Sequence, residues 1–169
     1  MTTVAILSDT HSYISPRVIK IVSQCDYAVH AGDIGCGEIL SSLKPKKNKV
    51  IAVRGNNDHP KIWHEDEAHI VEAIGDIAEL ELPGGKLVAE HGHRHGIHMP
   101  CHEKLRKAHP HARLIVYGHS HKIVSDLEQK PWVVNPGAAG KTRTHGGPSC
   151  IVLKATPRDW ELQQYRFEH

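Results

Sequence analysis

Short apolar runs alternate with amphipathic segments in the first third of the chain. Continuous runs rich in Val, Ile and Ala are typical of strands that are buried on both faces. A helix is predicted to begin at Ser15-Pro16, because Ser is a common N-cap and Pro suits the first turn, and a second short helix is predicted over 37–43. This strand–helix–strand–helix–strand order predicts a parallel sheet that is covered on both faces. The predicted strands of this part are 3–8, 27–30 and 49–53.

The second half of the chain contains more strands and fewer helices. A Pro83-Gly84-Gly85 turn lies between two strand-like segments, which predicts a hairpin of 77–82 with 86–90. A helix is predicted over 102–109. No linker, repeat or low-complexity stretch divides the chain, so we predict a single domain over residues 1–169, most simply with two sheets packed together. The further predicted strands are 113–117, 123–127, 132–135, 149–155 and 160–167.

Composition limits the classes of function. The chain has 21 Lys and Arg against 19 Asp and Glu, a net charge of +2, which argues against a stable nucleic-acid partner held by phosphate charge. No apolar run approaches the roughly 20 residues that span a membrane. The segment after Met1 also lacks the basic start and apolar stretch of a signal peptide. We therefore expect a cytoplasmic protein without membrane association, whose four cysteines are reduced thiols.

Histidine is the compositional anomaly, with 16 among 169 residues. A metal-storage protein would concentrate its histidines in low-complexity tracts. Here they extend from His11 to His169, with one dense patch over 91–102. The dispersed positions favour a metal enzyme over a metal buffer.

Five polar clusters follow predicted strand ends, which is where α/β sheets bind ligands. Taken singly, Asp9-x-His11 could cap a helix, Gly32-Asp33 could be a turn, and His119-x-His121 could be an exposed pair. Together they are difficult to explain as turns, because all of them consist of oxygen and imidazole ligands. The clusters are Asp9-Thr-His11, Gly32-Asp33, Gly55-Asn-Asn-Asp58, His91-Gly-His93 and Gly118-His-Ser-His121.

The ligand types indicate the class of metal. Imidazole with carboxylate and amide oxygen, and without thiolate, suits Mn, Fe, Zn, Co or Ni, with Mn as our first candidate. The number of candidate ligands exceeds the capacity of one tetrahedral ion and suits two ions that share a carboxylate. Two ions about 3.5–4 Å apart can hold a phosphoryl group and generate hydroxide between them. The candidate ligands are Asp9, His11, Asp33, Asn56, His91, His119 and His121.

In this order the clusters (D-x-H, G-D, G-N-x-D, H-G-H and G-H-x-H) resemble the calcineurin-like metallophosphoesterases. The short chain and Asn135-Pro-Gly137 resemble the small bacterial and archaeal phosphodiesterase branch of that family. The resemblance implies a four-layer αββα sandwich of two mixed β-sheets flanked by helices, the metallo-dependent phosphatase fold. It also implies the distribution of ligands: one metal is held by Asp9, His11 and His121, the other by Asn56, His91 and His119, and both by Asp33.

One position departs from the family pattern. Many members carry His after the Gly-Asn, where this chain has Asn57, whose amide donates a hydrogen bond but delivers no proton near neutral pH. This favours phosphodiesters or activated esters over alkyl monoesters. Asp58 is predicted to orient Asn57 or a ligand. His59 could replace the missing His, although an ordinary loop residue before Pro60 is the favoured interpretation. His93 could contact phosphate or support a ligand.

We therefore predict a dinuclear metal-dependent phosphodiesterase in which a hydroxide between the two metals attacks a small phosphodiester. The alternatives are a phosphomonoesterase of the same fold and a catalytically weak, metal-binding scaffold for protein interactions. The connection over 57–90 leaves no room for a large specificity cap, which predicts an open site. Arg54 and Arg143 could each bind phosphate, but ordinary surface or strand-end contacts are favoured for both, so neither is included among the site residues. The sequence leaves a homo-oligomer open.

Overall fold

The computed structural model describes residues 1–168 and contains ten strands and four α-helices within that range. None of the helices in this range combines the length and the apolar character needed to cross a membrane. The strands are β1 (Thr2–Leu7), β2 (Tyr27–His30), β3 (Lys49–Ala52), β4 (Ile77–Leu82), β5 (Gly85–Glu90), β6 (Leu114–Val116), β7 (Ile123–Asp126), β8 (Trp132–Pro136), β9 (Ser149–Ala155) and β10 (Trp160–Arg166). The helices are α1 (Pro16–Gln24), α2 (Gly37–Ser42), α3 (Ala68–Ala73) and α4 (His102–Ala108).

The strands form two mixed sheets of five. The first has the order β10-β9-β1-β2-β3, and the second has the order β4-β5-β6-β8-β7. β1, β2 and β3 are parallel to one another, as predicted, while β9 and β10 add antiparallel neighbours. In the second sheet β5, β6 and β8 are parallel, with β4 and β7 antiparallel at the two edges. The three parallel strands thus form one side of the first sheet, with β3 at its edge, and the centre of the second.

The two sheets pack face to face with helices on their outer sides. On β1, Val4 and Ile6 enter the core between the sheets, whereas Ala5 and Leu7 pack beneath α1, α2 and α3. This burial on both faces explains the unbroken apolar run in the sequence. The outer face of the second sheet packs against Leu105 of α4. The predicted four-layer αββα sandwich is confirmed.

Every predicted strand is present, with ends that differ by at most one residue. The sequence pattern missed α3 and the 3-10 turn of Glu65–Glu67 that leads into it. Both are too short to show a helical period. Ser15 occupies the N-cap of α1 and Pro16 its first turn, as predicted, but the Ser15 side chain makes no capping hydrogen bond.

His30, the last residue of β2, is fully buried and makes hydrogen bonds that require its neutral form. Its Nδ1 accepts the N–H of Gly32 at 3.2 Å, so the ring proton lies on Nε2. Nε2 is 2.9 Å from Oγ1 of Thr10, which in turn donates to the carbonyl of Ile34 at 2.9 Å. Burial, aided by the nearby His91, lowers the pKa of His30 to about 3. This chain of bonds ties the loop after β1 to the loop after β2.

We expect His30→Gln to reduce the loss of stability that follows acidification. An unfolded histidine titrates near 6.5 and the folded His30 near 3, so between these values the unfolded chain binds the extra proton. Stability is then lost as pH falls, by about 1.4 kcal/mol per pH unit. Gln retains a donor for Thr10 but does not titrate. The free energy of unfolding can be measured with urea at several pH values between 6 and 4. Its decrease per pH unit should be about 1.4 kcal/mol smaller in the variant than in the wild type.

The exposed His111 provides the matched control, since His111→Gln removes a histidine without touching a buried group. That variant should keep the wild-type slope. An unchanged slope in His30→Gln would show that His30 does not carry the acid sensitivity.

Candidate metal centre

The candidate ligands lie in loops at the carboxyl ends of β1, β2, β3, β5 and β6. Backbone hydrogen bonds hold these loops together. The N–H of Asp9 donates to Gly32 O at 3.0 Å, and the N–H of His11 donates to Asp33 O at 3.0 Å. In the second sheet, the N–H of Gly118 donates to the carbonyl of His91, the residue directly after β5, at 3.1 Å. Parallel strands end at one edge of a sheet, so the fold brings side chains that are distant in sequence into one place.

Five of the seven candidate ligands have a left-handed backbone. A positive φ is uncommon for a residue with a side chain, and holding one costs about 1–3 kcal/mol. The strain is concentrated in these loops because the side chains must turn back toward a common point. The residues and their φ angles are Asp9 (54°), His11 (45°), Asp33 (53°), His119 (66°) and His121 (60°).

Asp9, His11, Asp33 and His121 form a compact cluster in which one ligand atom of each lies within 4.8 Å of the others. His11 Nε2 is 3.2 Å from His121 Nε2, and His121 Nε2 is 3.4 Å from Asp9 Oδ1. Burial lowers the pKa of His11, and burial together with Arg143 and His11 lowers the pKa of His121 to about 4. Both rings are therefore neutral near pH 7, which is the form that binds metals.

Asp9 is fully buried, and neither of its carboxylate oxygens has a hydrogen-bond partner among the described residues. Burial raises the pKa of Asp9 to about 7. A buried carboxylate without donors is costly, and buried charges are normally paired or bound to a metal. The carboxylate and the neutral imidazoles next to it are the donor set of a divalent transition metal. The residues present therefore fit such an ion.

Two of the histidines are oriented by backbone carbonyls. His91 Nδ1 donates to Ala31 O at 2.7 Å, and His121 Nδ1 donates to Thr142 O at 2.8 Å. Each Nε2 then faces the cluster, as is usual for metal-binding histidines. His91 Nε2 lies 3.4 Å from Asp33 Oδ2. Burial opposes protonation of His91, but the carboxylates of Asp33 and Asp9 outweigh it and raise the pKa to about 9.

A second group of candidate ligands lies next to the first. The rings of His91 and His119 are 5.3 Å apart between centroids. His119 Nε2 is 2.6 Å from the carbonyl of Ile97, and its Nδ1 is 3.1 Å from Asn56 Oδ1. If Nε2–H donates to the carbonyl, Nδ1 and Asn56 Oδ1 are two acceptors facing one another. A cation between them would satisfy both, so this pair also fits a metal.

Asp33 lies between the two groups. Its Oδ2 is 3.4 Å from His91 Nε2 and 3.7 Å from His11 Nε2. Asn57 supports it by donating its backbone N–H to Oδ1 at 2.9 Å and its side-chain amide to Oδ2 at 2.8 Å. Burial alone would raise the pKa of Asp33, but the hydrogen bonds and charge of His91 and the two donors of Asn57 lower it well below its usual range.

Asp58 is a buried hydrogen-bond acceptor beneath the ligands. Its carboxylate accepts the N–H groups of Ile34 at 3.0 and 3.1 Å, Gly35 at 3.1 Å and Gly55 at 2.8 Å, and the indole N–H of Trp63 at 3.1 Å. These donors belong to the loops after β2 and β3. Asp58 therefore holds the loops of Asp33 and Asn57 in place through these donors.

His93 and His59 occupy different surroundings. The His93 ring lies 5.5 Å from that of His91 and 6.2 Å from that of His119 between centroids, and its buried Nδ1 has no partner among the described residues. Burial lowers the pKa of His93. His59 is exposed, and its Nδ1 accepts the N–H of Lys61 at 3.1 Å within the turn. The structure thus brings His93, but not His59, into ring contact with candidate ligands.

The sequence analysis considered Arg143 as a phosphate ligand but favoured an ordinary surface contact. Its guanidinium donates to His121 Nε2 at 3.2 Å, so it reaches the ligand cluster rather than making an ordinary surface contact. Arg143 has a φ of 48°, which shows that its loop turns sharply here. No motif surrounds it in the sequence. The signal that could have found it is its position shortly after β8, in a segment dense in Gly and Thr.

Comparison with known proteins supports a family assignment. The family described as "Calcineurin-like phosphoesterase superfamily domain" matches residues 2–158. Phosphodiesterase MJ0936 of Methanocaldococcus jannaschii is 27% identical over an alignment of 175 positions, gaps included, that covers 96% of each chain.

Solved structures share the fold. A structure described as a novel archaeal phosphodiesterase is 22% identical, covers 96% of this chain and 99% of its own, and superposes with a TM-score of 0.68. Vps29 from Entamoeba histolytica, solved in complex with Zn²⁺, is 17% identical with a TM-score of 0.70, over 97% of this chain and 98% of its own. Since the family match spans most of the chain and includes all seven candidate ligands, the protein belongs to the calcineurin-like phosphoesterase superfamily.

Proposed function

We propose that this protein hydrolyses phosphodiester bonds with two divalent transition-metal ions. Asp9, His11 and His121 would hold one ion, Asn56, His91 and His119 would hold the other, and Asp33 would be a ligand to both. The observation that carries the proposal is the gathering of buried carboxylates and oriented imidazoles, in which both oxygens of Asp9 make no hydrogen bond within residues 1–168. The relative named as a phosphodiesterase supports the same reaction.

The protein contributes position and charge to this chemistry. When bound, two such ions supply Lewis acidity that polarises the phosphoryl group and lowers the pKa of water. Asp9 and Asp33 supply negative charge at the cluster. The carbonyls of Ala31 and Thr142 fix the rings of His91 and His121, so that little reorganisation is needed during the reaction.

Asn57 favours diesters over monoesters. Its side chain is hydrogen-bonded to Asp33 and carries no proton that it can transfer near neutral pH. Alkyl monoesters have poor leaving groups and gain most from such a proton. A small phosphodiester is therefore the proposed substrate, with a phosphomonoester as the less favoured alternative. Manganese as the preferred ion, a cytoplasmic location and a homo-oligomer stay predictions from the sequence.

We assign His93 to contact with a phosphoryl oxygen. It lies beside His91 and His119, and its Nδ1 is buried without a partner among the described residues. Because burial lowers its pKa, the ring is neutral near pH 7 and acts as a hydrogen-bond donor rather than a source of a proton.

Metal-stripped protein should regain activity when a single metal is restored. We expect turnover of bis(4-nitrophenyl) phosphate with at least one of Mn, Fe, Co, Ni and Zn, with Mn tested first. Turnover of the diester should exceed that of 4-nitrophenyl phosphate by about tenfold or more, which corresponds to about 1.4 kcal/mol of transition-state stabilisation. Failure with every metal on both compounds would favour the protein-interaction scaffold.

Asp33→Asn should abolish most of the activity, because it removes the charge of the one ligand shared by both groups. We expect a fall of about 100-fold or more in diester kcat, together with fewer metal ions per chain by elemental analysis. Asp159→Asn, in the exposed turn before β10, is the control and should retain both. A variant at Asp33 with full metal content and wild-type turnover would contradict shared ligation.

His93→Ala and His59→Ala should give different kinetic signatures. Loss of a donor to a phosphoryl oxygen should lower kcat/KM about tenfold for diesters of every leaving group alike. A residue that protonates the leaving group instead gives a loss that grows with leaving-group basicity. We expect the first pattern for His93 and a near wild-type rate for the exposed His59. A basicity-dependent loss in His59→Ala would restore the role predicted from the sequence.

A further inference from the structure

A groove of about 330 Å³ opens beside the candidate metal centre. It reaches the centre through His119, and it extends along the segment after β6 and the segment after β8. The side chains around it include no carboxylate, whereas two of them carry full positive charges. Its lining residues are Ile97, His98, Met99, His119, Ser120, Lys122, Arg143 and His145.

The positive charges in the groove have no acidic partner in the described part of the chain. Within residues 1–168, neither Lys122 nor Arg143 forms a salt bridge with an acidic residue. Arg143 touches the ligand cluster through His121 Nε2, at 3.2 Å. Lys122 follows His121 directly and is exposed. The cationic surface therefore runs outward from the site, and a groove of one sign of charge attracts and orients anions.

The other wall of the groove is apolar and anchored to the site. Ile97 and Met99 are 82% and 49% exposed, which is unusual for such side chains. The carbonyl of Ile97 is 2.6 Å from Nε2 of His119. This wall can contact an organic group, while the opposite wall contacts an anion.

We propose that this groove binds the arm of the phosphodiester that extends away from the reacting phosphorus, and that preferred substrates carry a second phosphate on that arm. Arg143 lies where it can contact the phosphoryl group at the metal centre, and Lys122 receives the second phosphate. Ile97 and Met99 contact the organic part between the two phosphates. The proposal rests on the proposed diesterase function and specifies its substrate class as a bis-anionic diester.

A matched pair of substrates tests the second phosphate. Thymidine 5′-(4-nitrophenyl phosphate) and its 3′-phosphorylated form share the scissile bond and the leaving group. We expect the wild-type kcat/KM to be about tenfold higher for the 3′-phosphorylated form, the size expected of one charge-assisted contact that is partly exposed. In Lys122→Gln the ratio of the two values should fall to about one.

The control variant is Lys104→Gln, which removes the same charge from an exposed position on α4 outside the groove. In this variant the ratio of kcat/KM for the two substrates should stay at the wild-type value. That result separates a local contact from a general effect of net charge. A readout without turnover is calorimetric binding of thymidine 3′,5′-bisphosphate and thymidine 5′-monophosphate. The bisphosphate should bind about tenfold tighter to the wild type and to Lys104→Gln, and this advantage should vanish in Lys122→Gln.

The outcomes separate the groove from the reaction. If the wild type cleaves both diesters equally well, the inference about the groove is overturned and the diesterase function stands. A preference that persists in Lys122→Gln also overturns it. If neither diester is cleaved, the proposed function fails, and the binding measurement decides: equal affinities overturn the groove proposal, and a bisphosphate advantage that depends on Lys122 supports it.

Discussion

The geometry of the site depends on the buried carboxylate of Asp58. It is 4% exposed and collects N–H donors from the loop that carries Asp33, from Gly55 and from the indole of Trp63. A buried charge is tolerated only when such donors surround it, so the two loops can close around Asp58 in few ways. Asp33 and Asn57 are then fixed relative to one another before any ligand arrives. The sequence analysis placed Asp58 as a supporting residue, and the structure shows that it supports two loop backbones.

The loops that carry the candidate ligands are costly to form. Five ligand residues hold left-handed backbone angles, and the carboxylate of Asp9 lies buried without a donor from the described chain. Such strain persists only when the surroundings over-determine it. Here the surroundings are two sheets whose shared core and outer helical layers anchor each strand end. The stability of the sandwich supports an arrangement that the loops would not adopt alone.

Much of the fold could be predicted because burial on both faces leaves a clear mark in the sequence. The run around Val4 is an unbroken apolar segment for this reason. The gathering of polar clusters was also predictable, since parallel strands place their following loops at one edge. The helix α3 was missed because six residues show no period. The contact of Arg143 with His121 was missed because it depends on a loop conformation, and nothing in the local sequence specifies that conformation.

Gly55 has a consequence for how such a protein can diversify. A Cβ at this position would overlap the carboxylate and backbone of Asp33, so the loops after β2 and β3 can change only together. The segment over 97–99 has more freedom, because Ile97 and Met99 expose their side chains and the link to His119 uses a backbone carbonyl. Side chains there can be exchanged without rebuilding the ligand loops. The exposed segment with Ile97 and Met99 can therefore vary while the ligand loops beside it stay fixed. New substrate preferences can arise in that segment by single substitutions, in evolution or by engineering.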